Sequence, residues 1–272
     1  MTRTTAEKRA AFRALHAAGC FVLPNPWDVG SGRMLQHLGF SALASTSAGF
    51  AWMTGRPEYA VTRGDVLAHL TALCAAVDLP VNADYEAGFA ADPEGVARNV
   101  ALAIGTGVAG LSIEDRDDTP SGLHDLGFSV ERIRAARGAI DASGDDVVLV
   151  ARTEGLLIDP QALTPAIDKL VAFAEAGADC LYAPGVRGRD AIATMVRAVA
   201  PKPLNVLVRD PGQRMDDLAE LGVRRISVGG SLARIGWGAV LAAAERMRAG
   251  SFEDLACALP AKRLDDVFGP FA

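Results

Sequence analysis

The sequence predicts an α/β protein built as a closed (β/α)8 barrel, also called a TIM barrel. Eight short apolar runs alternate with helical segments, as in parallel strands joined by helices. Eight such units favour a closed barrel over an open doubly wound sheet. No Gly-x-Gly-x-x-Gly motif follows the first run, so a dinucleotide-binding fold has no support. The runs lie at Phe21–Leu23, Ala42–Ser45, Pro80–Asp84, Gly110–Glu114, Val147–Ala151, Cys180–Ala183, Leu204–Val208 and Arg225–Val228.

The segments between the runs have the periodicity of helices. Arg63–Val77 carries apolar residues at a spacing near 3.6. Asp92-Pro93 and Asp159-Pro160 predict helix starts, because each places an N-cap acid before a first-turn proline. Glycines in LGF, TGVAG, AGAD and LGV predict helix ends just before a strand. The other helical segments are Arg33–His37, Pro93–Gly105, Val130–Ala142, Pro160–Ala176, Arg189–Ala200 and Gly212–Leu221.

Length and composition indicate one domain over residues 1–272, half of whose residues are hydrophobic. After the eighth run, the segment of about 232–272 predicts a C-terminal helical extension with helices near Leu232–Ala249 and Phe252–Leu259. This extension holds more apolar residues than barrel closure needs. We therefore expect it at a subunit interface, with an exchange of helices between subunits as one possibility.

Charge and cysteine usage exclude several classes of protein. The net charge is -6 and no basic face emerges, which excludes nucleic acid as an expected partner. No stretch approaches the ~20 apolar residues of a membrane span, and the charged N-terminal segment lacks the apolar core of a signal peptide. The scattered cysteines favour reduced thiols and a cytoplasmic location. They are Cys20, Cys74, Cys180 and Cys257.

Acidic residues end three successive runs. The segments are Asp84-Tyr85-Glu86, Glu114-Asp115 and Arg152-Thr153-Glu154. The carboxyl ends of barrel strands meet on one face, so these side chains should converge there. Convergent carboxylates repel one another unless a cation joins them. Oxygen ligands without histidine or cysteine favour Mg²⁺, with Mn²⁺ possible, over zinc. The alternative is that the acids only cap helices or pair with nearby arginines.

Several motifs resemble those of the isocitrate lyase/phosphoenolpyruvate mutase superfamily. They are NADYEAGF, GLSIEDR, VLVARTEG and the upstream segment FVLPNPWDVGSGRMLQHLGFSALASTSAGFAWMTGRPE. The resemblance runs from about Phe21 to the eighth run and so covers nearly the whole chain. It implies a (β/α)8 barrel that binds Mg²⁺ and assembles as a homodimer or homotetramer, often with an exchanged C-terminal helix.

The resemblance also implies roles for individual residues. Asp84 matches the direct metal ligand, and Glu114 matches the glutamate of the Glu-Asp motif, so Asp84, Glu86 and Glu114 form the expected metal set. Glu86 stands where the family commonly has aspartate. Arg152 matches the substrate-binding arginine and Glu58 an aspartate near the substrate. The expected substrate-binding residues are Ser45, Thr46, Ser47, Asp84 and Arg152.

The loop after the fourth run departs from the lyase pattern. It reads RDDTPSGLHDLGF and lacks the cysteine and lysine of the lyases, and YAPGV replaces their glutamate after the sixth run. His124 is the one group in this loop with a pKa near neutrality. It is a candidate acid or base, and an ordinary exposed histidine is the alternative. The loop Asp117–Leu126, with Pro120 and Gly122, is a candidate for closing over the substrate.

The expected function is that of a Mg²⁺-dependent enzyme acting on a small 2-oxo or 2-hydroxy (di)carboxylate through a metal-stabilised enolate. A carbon–carbon lyase or decarboxylase leads, with Arg152, Glu58 and His124 as catalytic candidates. One alternative is phosphorus–carbon chemistry of the phosphonomutase or phosphonopyruvate hydrolase type. Another is a 2-oxo acid binding protein without turnover. Tyr182 and Arg209 lie near later strand ends, where each either contacts substrate or only packs.

Overall fold

The computed structural model describes residues 2–117, 119 and 122–269, and its centre is a single sheet of eight parallel strands. From the second strand to the eighth, each strand pairs with the next one in the sequence, and the first strand pairs with the eighth. This order confirms the (β/α)8 barrel. The strands are β1 Phe21–Leu23, β2 Leu43–Ala44, β3 Val81–Asp84, β4 Gly110–Glu114, β5 Val148–Arg152, β6 Cys180–Tyr182, β7 Leu204–Leu207 and β8 Arg225–Ser227.

The strand register places the acidic strand ends side by side. In the β4–β5 pair, Glu114 lies opposite Arg152, and in the β5–β6 pair Arg152 lies opposite Tyr182. Asp84 of β3 lies opposite Ser112 of β4. Because all strands are parallel, their carboxyl ends share one rim of the barrel. The expected convergence of the acidic segments therefore follows directly from the register.

The barrel closes between β1 and β2 with less pairing than elsewhere. In the described part of the chain, no ladder joins these two strands. A hydrogen bond from the Ala44 amide to the Pro24 carbonyl, 3.1 Å long, crosses the seam. By contrast, the β4–β5 pair runs over five residues on each strand.

Helices cover the outside of the barrel, and three of the seven expected between strands begin at the predicted residue, namely at Arg63, Pro93 and Arg189. The other four begin three or four residues away from the predicted start. Asp92 caps the fifth helix, with its carboxylate accepting a 2.6 Å hydrogen bond from the Gly95 amide. The expected start at Asp159-Pro160 is wrong, because a short helix, Gly155–Ile158, ends there and the next helix begins at Leu163. The helices are α1 Thr5–Ala17, α2 Val29–His37, α3 Ser47–Met53, α4 Arg63–Ala76, α5 Pro93–Ile104, α6 Leu126–Ser143, α7 Gly155–Ile158, α8 Leu163–Glu175, α9 Arg189–Val199, α10 Met215–Glu220, α11 Ser231–Arg248 and α12 Ala261–Phe268.

Helix α1 closes the amino-terminal end of the barrel. Phe12 is fully buried and packs with interior strand residues such as Val148 and Val150. Gly110 leaves room for this ring, since a Cβ there would lie 2.7 Å from Phe12 Cε1. With this end plugged, solvent reaches the interior from the opposite rim, where the acidic residues lie.

The C-terminal extension consists of α11, a 3-10 helix over Glu253–Cys257, and α12. Helix α12 folds back onto α2 of the same chain, where the Arg33 guanidinium lies 6.0 Å from the Phe268 ring centre. Several apolar side chains of the extension are more than half exposed: Ile235, Val240, Leu241, Phe252 and Leu255. Residues 270–272 of the expected extension lie outside the described residues. Among the described helices, none combines the length and apolar character needed to cross a membrane.

Candidate active site

The carboxyl rim of the barrel holds a cavity of about 220 Å³ over the barrel axis. All five expected substrate-binding residues line this cavity: Ser45, Thr46, Ser47, Asp84 and Arg152. Glu58 and Tyr182 line it as well. The structure thus brings together side chains that the sequence places on four different strands or their following loops.

The segment after β2 is held by Asp84. The Ser47 amide donates a 2.9 Å hydrogen bond to Asp84 Oδ2, and Ser45 Oγ receives one of 2.8 Å from the Asp84 amide. Thr46 caps α3 by accepting from the Gly49 amide. The Ser45–Ser47 segment therefore lies at the N-terminus of α3, where backbone amides and the helix dipole favour an anion.

Arg152 is the centre of a buried charge cluster. Its Nε contacts the carboxylates of Glu154 and Glu114, the latter at 3.4 Å, and its Nη1 lies 3.4 Å from Asp84 Oδ1. Its guanidinium also faces the Tyr182 ring at 5.1 Å. Burial disfavours the charged form, but the carboxylates of Glu154 and Glu114 outweigh this and raise the pKa of Arg152. The arginine therefore stays a cation in the site.

Glu86 and Glu114 are buried carboxylates that lack full compensation. Burial raises the pKa of Glu86 to about 8, and repulsion from Asp84 and Glu58 adds to this. Burial also raises the pKa of Glu114, against the opposing effect of Arg152. One carboxylate oxygen on each side chain is buried without a hydrogen-bond partner among the described residues. Glu86 also adopts a left-handed backbone, with φ at 47°, a conformation that non-glycine residues take up at a cost.

These features fit a hydrated divalent cation. Across the residues that the structure describes, no three His, Cys, Asp or Glu side chains stand close enough to form a ready-made metal cage. The orphaned oxygens of Glu86 and Glu114 nevertheless leave acceptors that a protonated state or a positive ion would satisfy. Mg²⁺ commonly keeps several water ligands and contacts only one or two carboxylates directly. The donor set is therefore suited to Mg²⁺ bound partly through water.

Glu58 connects the axial cavity to a second one. It accepts a 3.4 Å hydrogen bond from Ser47 Oγ, and burial, followed by repulsion from Asp84, raises its pKa. Glu58 also lines a neighbouring cavity of about 660 Å³ together with Glu86, Glu114 and His124. A carboxyl group with a raised pKa at such a junction is a candidate for accepting or donating a proton.

His124 lines the second cavity and not the axial one. Its ring meets the Phe128 ring edge-on at 4.9 Å. Its backbone is fixed, because its amide donates to the Asp115 carbonyl at 2.9 Å and its carbonyl accepts from Lys169 Nζ at 2.8 Å. His124 therefore shares the second cavity with Glu114, a member of the Arg152 cluster, and does not line the axial cavity. Of the loop Asp117–Leu126, residues 118, 120 and 121 lie outside the described residues, and closure of this loop stays a prediction.

Three residues at the site were given no individual role from the sequence, although Glu154 was part of an acidic segment expected at the rim. Glu154 forms the closest ion pair with Arg152, and it lies two residues further along the same motif. Tyr59 has a left-handed backbone and its ring lies 4.1 Å from the Arg116 guanidinium carbon, in the wall beside Glu58. Arg234 lies in the first turn of α11 and lines the axial cavity. Only Glu154 had a usable signal, namely its place at the end of β5.

Asp115 has a supporting role. Its carboxylate accepts hydrogen bonds from Thr153 Oγ1 at 2.7 Å, from the Glu154 amide at 2.9 Å and from Lys169 Nζ at 2.6 Å. Asp115 is almost fully buried. The second acid of the Glu-Asp motif therefore fixes the chain after β5, which carries Arg152 and Glu154.

Comparisons with known proteins agree with this arrangement. The model of the phosphoenolpyruvate phosphomutase family matches residues 12–248. A Burkholderia cenocepacia J2315 protein, provisionally described as a lyase/mutase, superposes with a TM-score of 0.94 at 44% identity, covering 98% of each chain. The crystal structure of 2,3-dimethylmalate lyase superposes with a TM-score of 0.85 at 27% identity, covering 99% of this chain and 96% of the other.

An oxaloacetate decarboxylase from Rhodopseudomonas palustris (strain BisA53) is 29% identical over 231 residues, which cover 81% of this chain and 77% of the relative. The 2,3-dimethylmalate lyase is itself a member of the phosphoenolpyruvate mutase/isocitrate lyase superfamily. The match of the family model spans nearly the whole barrel, from α1 to the end of α11. With its eight-stranded barrel and its acidic rim, the chain belongs to the isocitrate lyase/phosphoenolpyruvate mutase superfamily, whose members include lyases and mutases.

Proposed function

We propose that this protein is a Mg²⁺-dependent enzyme that acts on a small 2-oxo or 2-hydroxy carboxylate and breaks a carbon–carbon bond, as a lyase or a decarboxylase. The observation that carries the proposal is the meeting of Arg152, Asp84 and the Ser45–Ser47 segment in one cavity, beside the buried carboxylates of Glu86 and Glu114, each of which has one oxygen without a hydrogen-bond partner among the described residues. An anion site and a cation site thus adjoin, as a chelating 2-oxo acid requires.

The metal would be held by Asp84 directly and by Glu86 and Glu114 through water, with Mn²⁺ as a possible substitute for Mg²⁺. When bound, such an ion supplies a positive charge that polarises the substrate carbonyl and stabilises an enolate. Support comes from the raised pKa of Glu86 and of Glu114 and from their orphaned oxygens.

The protein's own residues would bind and orient the substrate. Arg152 would pair with a carboxylate through charge-assisted hydrogen bonds, which are about twice as strong as neutral ones. The Ser45–Ser47 segment would hold the same end of the molecule at the N-terminus of α3. Glu58, whose pKa is raised, is the nearest candidate for moving a proton at the substrate. His124 is a second candidate, and it would need the loop to close to reach the substrate.

A substrate panel tests the reaction. Oxaloacetate, 2,3-dimethylmalate, methylisocitrate, isocitrate and phosphonopyruvate would each be incubated with protein and MgCl₂, and release of pyruvate or glyoxylate would be followed. The same assays with EDTA and with Asp84→Ala should lose all turnover, while the exposed Asp168→Ala should retain it. Turnover that persists in EDTA and in Asp84→Ala would contradict the proposal. Saturable binding of 2-oxo acids with no product from any compound would favour a binding protein.

Phosphorus–carbon chemistry is the second candidate. The observation that favours it is the match to the phosphoenolpyruvate phosphomutase family over residues 12–248. In the same panel, conversion of phosphonopyruvate to phosphoenolpyruvate, or to pyruvate and phosphate, would support it over the lyase.

We also propose a homodimer or homotetramer in the cytoplasm. The exposed apolar residues of the C-terminal extension support the assembly, and all four cysteines are free thiols, which suits a reducing compartment. Light scattering on the full chain would give the subunit number, and a monomer at micromolar concentration would contradict the assembly.

A further inference from the structure

Two arginines on the far side of the axial cavity lack a counter-charge. Arg209 follows β7 and Arg234 lies in the first turn of α11, and both line the cavity with Arg152 and Asp84. Both residues are exposed. In the described part of the chain, neither side chain forms an ion pair or a hydrogen bond, whereas Arg152 meets three carboxylates. Their charges are thus available to a ligand.

The cavity is unevenly charged. Four arginines line it against two carboxylates, those of Glu58 and Asp84. The carboxylates and Arg152 belong to the side formed by β2, β3 and β5 and their loops. Below Arg209 and Arg234, on β8, the buried Arg225 bonds only to neutral groups among the described residues, such as the Asn205 and Asn82 side chains. The side formed by β7 and β8 therefore carries an uncompensated positive charge.

We infer that Arg209 and Arg234 form a second anion-binding subsite and determine specificity, by selecting a ligand with a distal carboxylate over one with an uncharged group at that position. This inference rests on the proposed function, which places the first carboxylate at Arg152 and the Ser45–Ser47 segment. Guanidinium groups match carboxylates through paired N–H donors, so two of them select a second carboxylate over a methyl group of similar size. The arginines are specificity-determining residues, and Arg152 retains its role for every substrate.

The test uses two stable acids that differ at one position. Malate and 2-hydroxybutanoate share the 2-hydroxy acid end, and the fourth carbon is a carboxylate in one and a methyl group in the other. Their binding to the full chain would be measured by isothermal titration calorimetry with MgCl₂ present, using each enantiomer. We expect the wild-type protein to bind malate at least tenfold more tightly than 2-hydroxybutanoate.

Substitution of the arginines should affect only malate. Arg209→Gln and Arg234→Gln should each weaken malate binding about tenfold, because each loses a hydrogen-bonded charge pair, and should leave 2-hydroxybutanoate within twofold. Arg248→Gln on the same helix and Arg214→Gln before α10 are matched controls, since both residues are exposed and outside this cavity. Circular dichroism would confirm that each variant is folded.

The outcomes separate this subsite from the proposed function. If both arginine variants bind malate as the wild type does, or lose both acids equally, the subsite is overturned while metal-dependent binding at Asp84 still supports the function. If the wild-type protein binds neither acid with Mg²⁺, the subsite is overturned, whereas the proposed function stands or falls with turnover in the substrate panel. Selective loss of malate in both variants, with unchanged controls, supports the subsite.

Discussion

Substitution of Glu86 by glutamine should stabilise the metal-free protein, and the gain should grow with pH. Glu86 is 8% exposed, and burial together with Asp84 and Glu58 raises its pKa from 4.5 to about 8. A carboxyl group whose pKa is higher in the folded state stabilises the fold below its unfolded pKa. That contribution is lost as the pH rises from about 4.5 through about 8. Glutamine keeps the shape of the side chain and removes the titration.

The expected size follows from the pKa difference. One pKa unit corresponds to about 1.4 kcal/mol, so the full difference is on the order of 5 kcal/mol at alkaline pH. The adjoining cavity of about 660 Å³ admits water beside the carboxylate. Because this water solvates the ionised form, we expect a net gain of roughly 2 kcal/mol for Glu86→Gln at pH 8.5 relative to pH 5.

Urea unfolding in EDTA, at pH 5 and at pH 8.5, would measure this gain. Comparing the two pH values cancels any effect of the substitution that does not depend on pH. Glu131→Gln is a matched control, because Glu131 is exposed in the middle of α6, and its effect should be the same at both pH values. Added MgCl₂ should stabilise the wild type more than Glu86→Gln at pH 8.5.

The reasoning is refuted if Glu86→Gln changes the free energy of unfolding by the same amount at both pH values. It is also refuted if MgCl₂ stabilises the two proteins equally, since Glu86 then contributes nothing to holding the ion.

Other substitutions probe different parts of the molecule. Arg152→Met should weaken carboxylate binding by about 2 kcal/mol in calorimetry. It should also lower the free energy of unfolding by about 3 kcal/mol, because it leaves buried carboxylates without their cation. If the variant binds carboxylates as tightly as the wild type, Arg152 does not bind the substrate. Asp115→Asn should lower the free energy of unfolding, measured in urea, by about 3 kcal/mol, because the Lys169 ammonium loses its anionic partner. A change below about 1 kcal/mol would show that water replaces the carboxylate as the partner of Lys169. His69 is buried, stacks on Phe50 at 4.2 Å and has a pKa lowered to about 4, mainly by burial. A histidine with a lowered pKa loses its stabilising contribution as the pH falls from about 6.5 through about 4. His69→Phe should therefore make the free energy of unfolding less sensitive to pH over this range. If the variant and the wild type show the same difference in free energy of unfolding between pH 7 and pH 5, His69 does not titrate there.

The positions of the strands could be predicted closely because each is a short apolar run with a polar or turning residue at its end. The expected run Gly110–Glu114 is β4 without change, and the expected cap at Asp92 is observed. The second expected cap failed because α7 inserts one extra turn after β5, and Asp159 ends that turn. An insertion of one helical turn leaves little trace in the hydrophobic pattern.

The site itself could be predicted only in part. Arg152 and Asp84 were visible because they end strands, and strand ends in a barrel share a rim. Arg234 was not visible, since its place in the cavity depends on the direction in which α11 leaves β8. Tyr59 was not visible either, because its left-handed backbone arises from the packing of the loop before α4. Such residues depend on tertiary geometry that no local pattern encodes.

The sparse pairing between β1 and β2 has a consequence for motion. Among the described residues, one backbone hydrogen bond crosses this seam, so it should open at lower free energy than the β4–β5 ladder. The Ala44 amide would then exchange with deuterium earlier than the amides of β5. Since β2 leads straight into the Ser45–Ser47 segment, local opening of the barrel would begin next to the pocket. Such opening would then influence the rate at which small acids enter and leave.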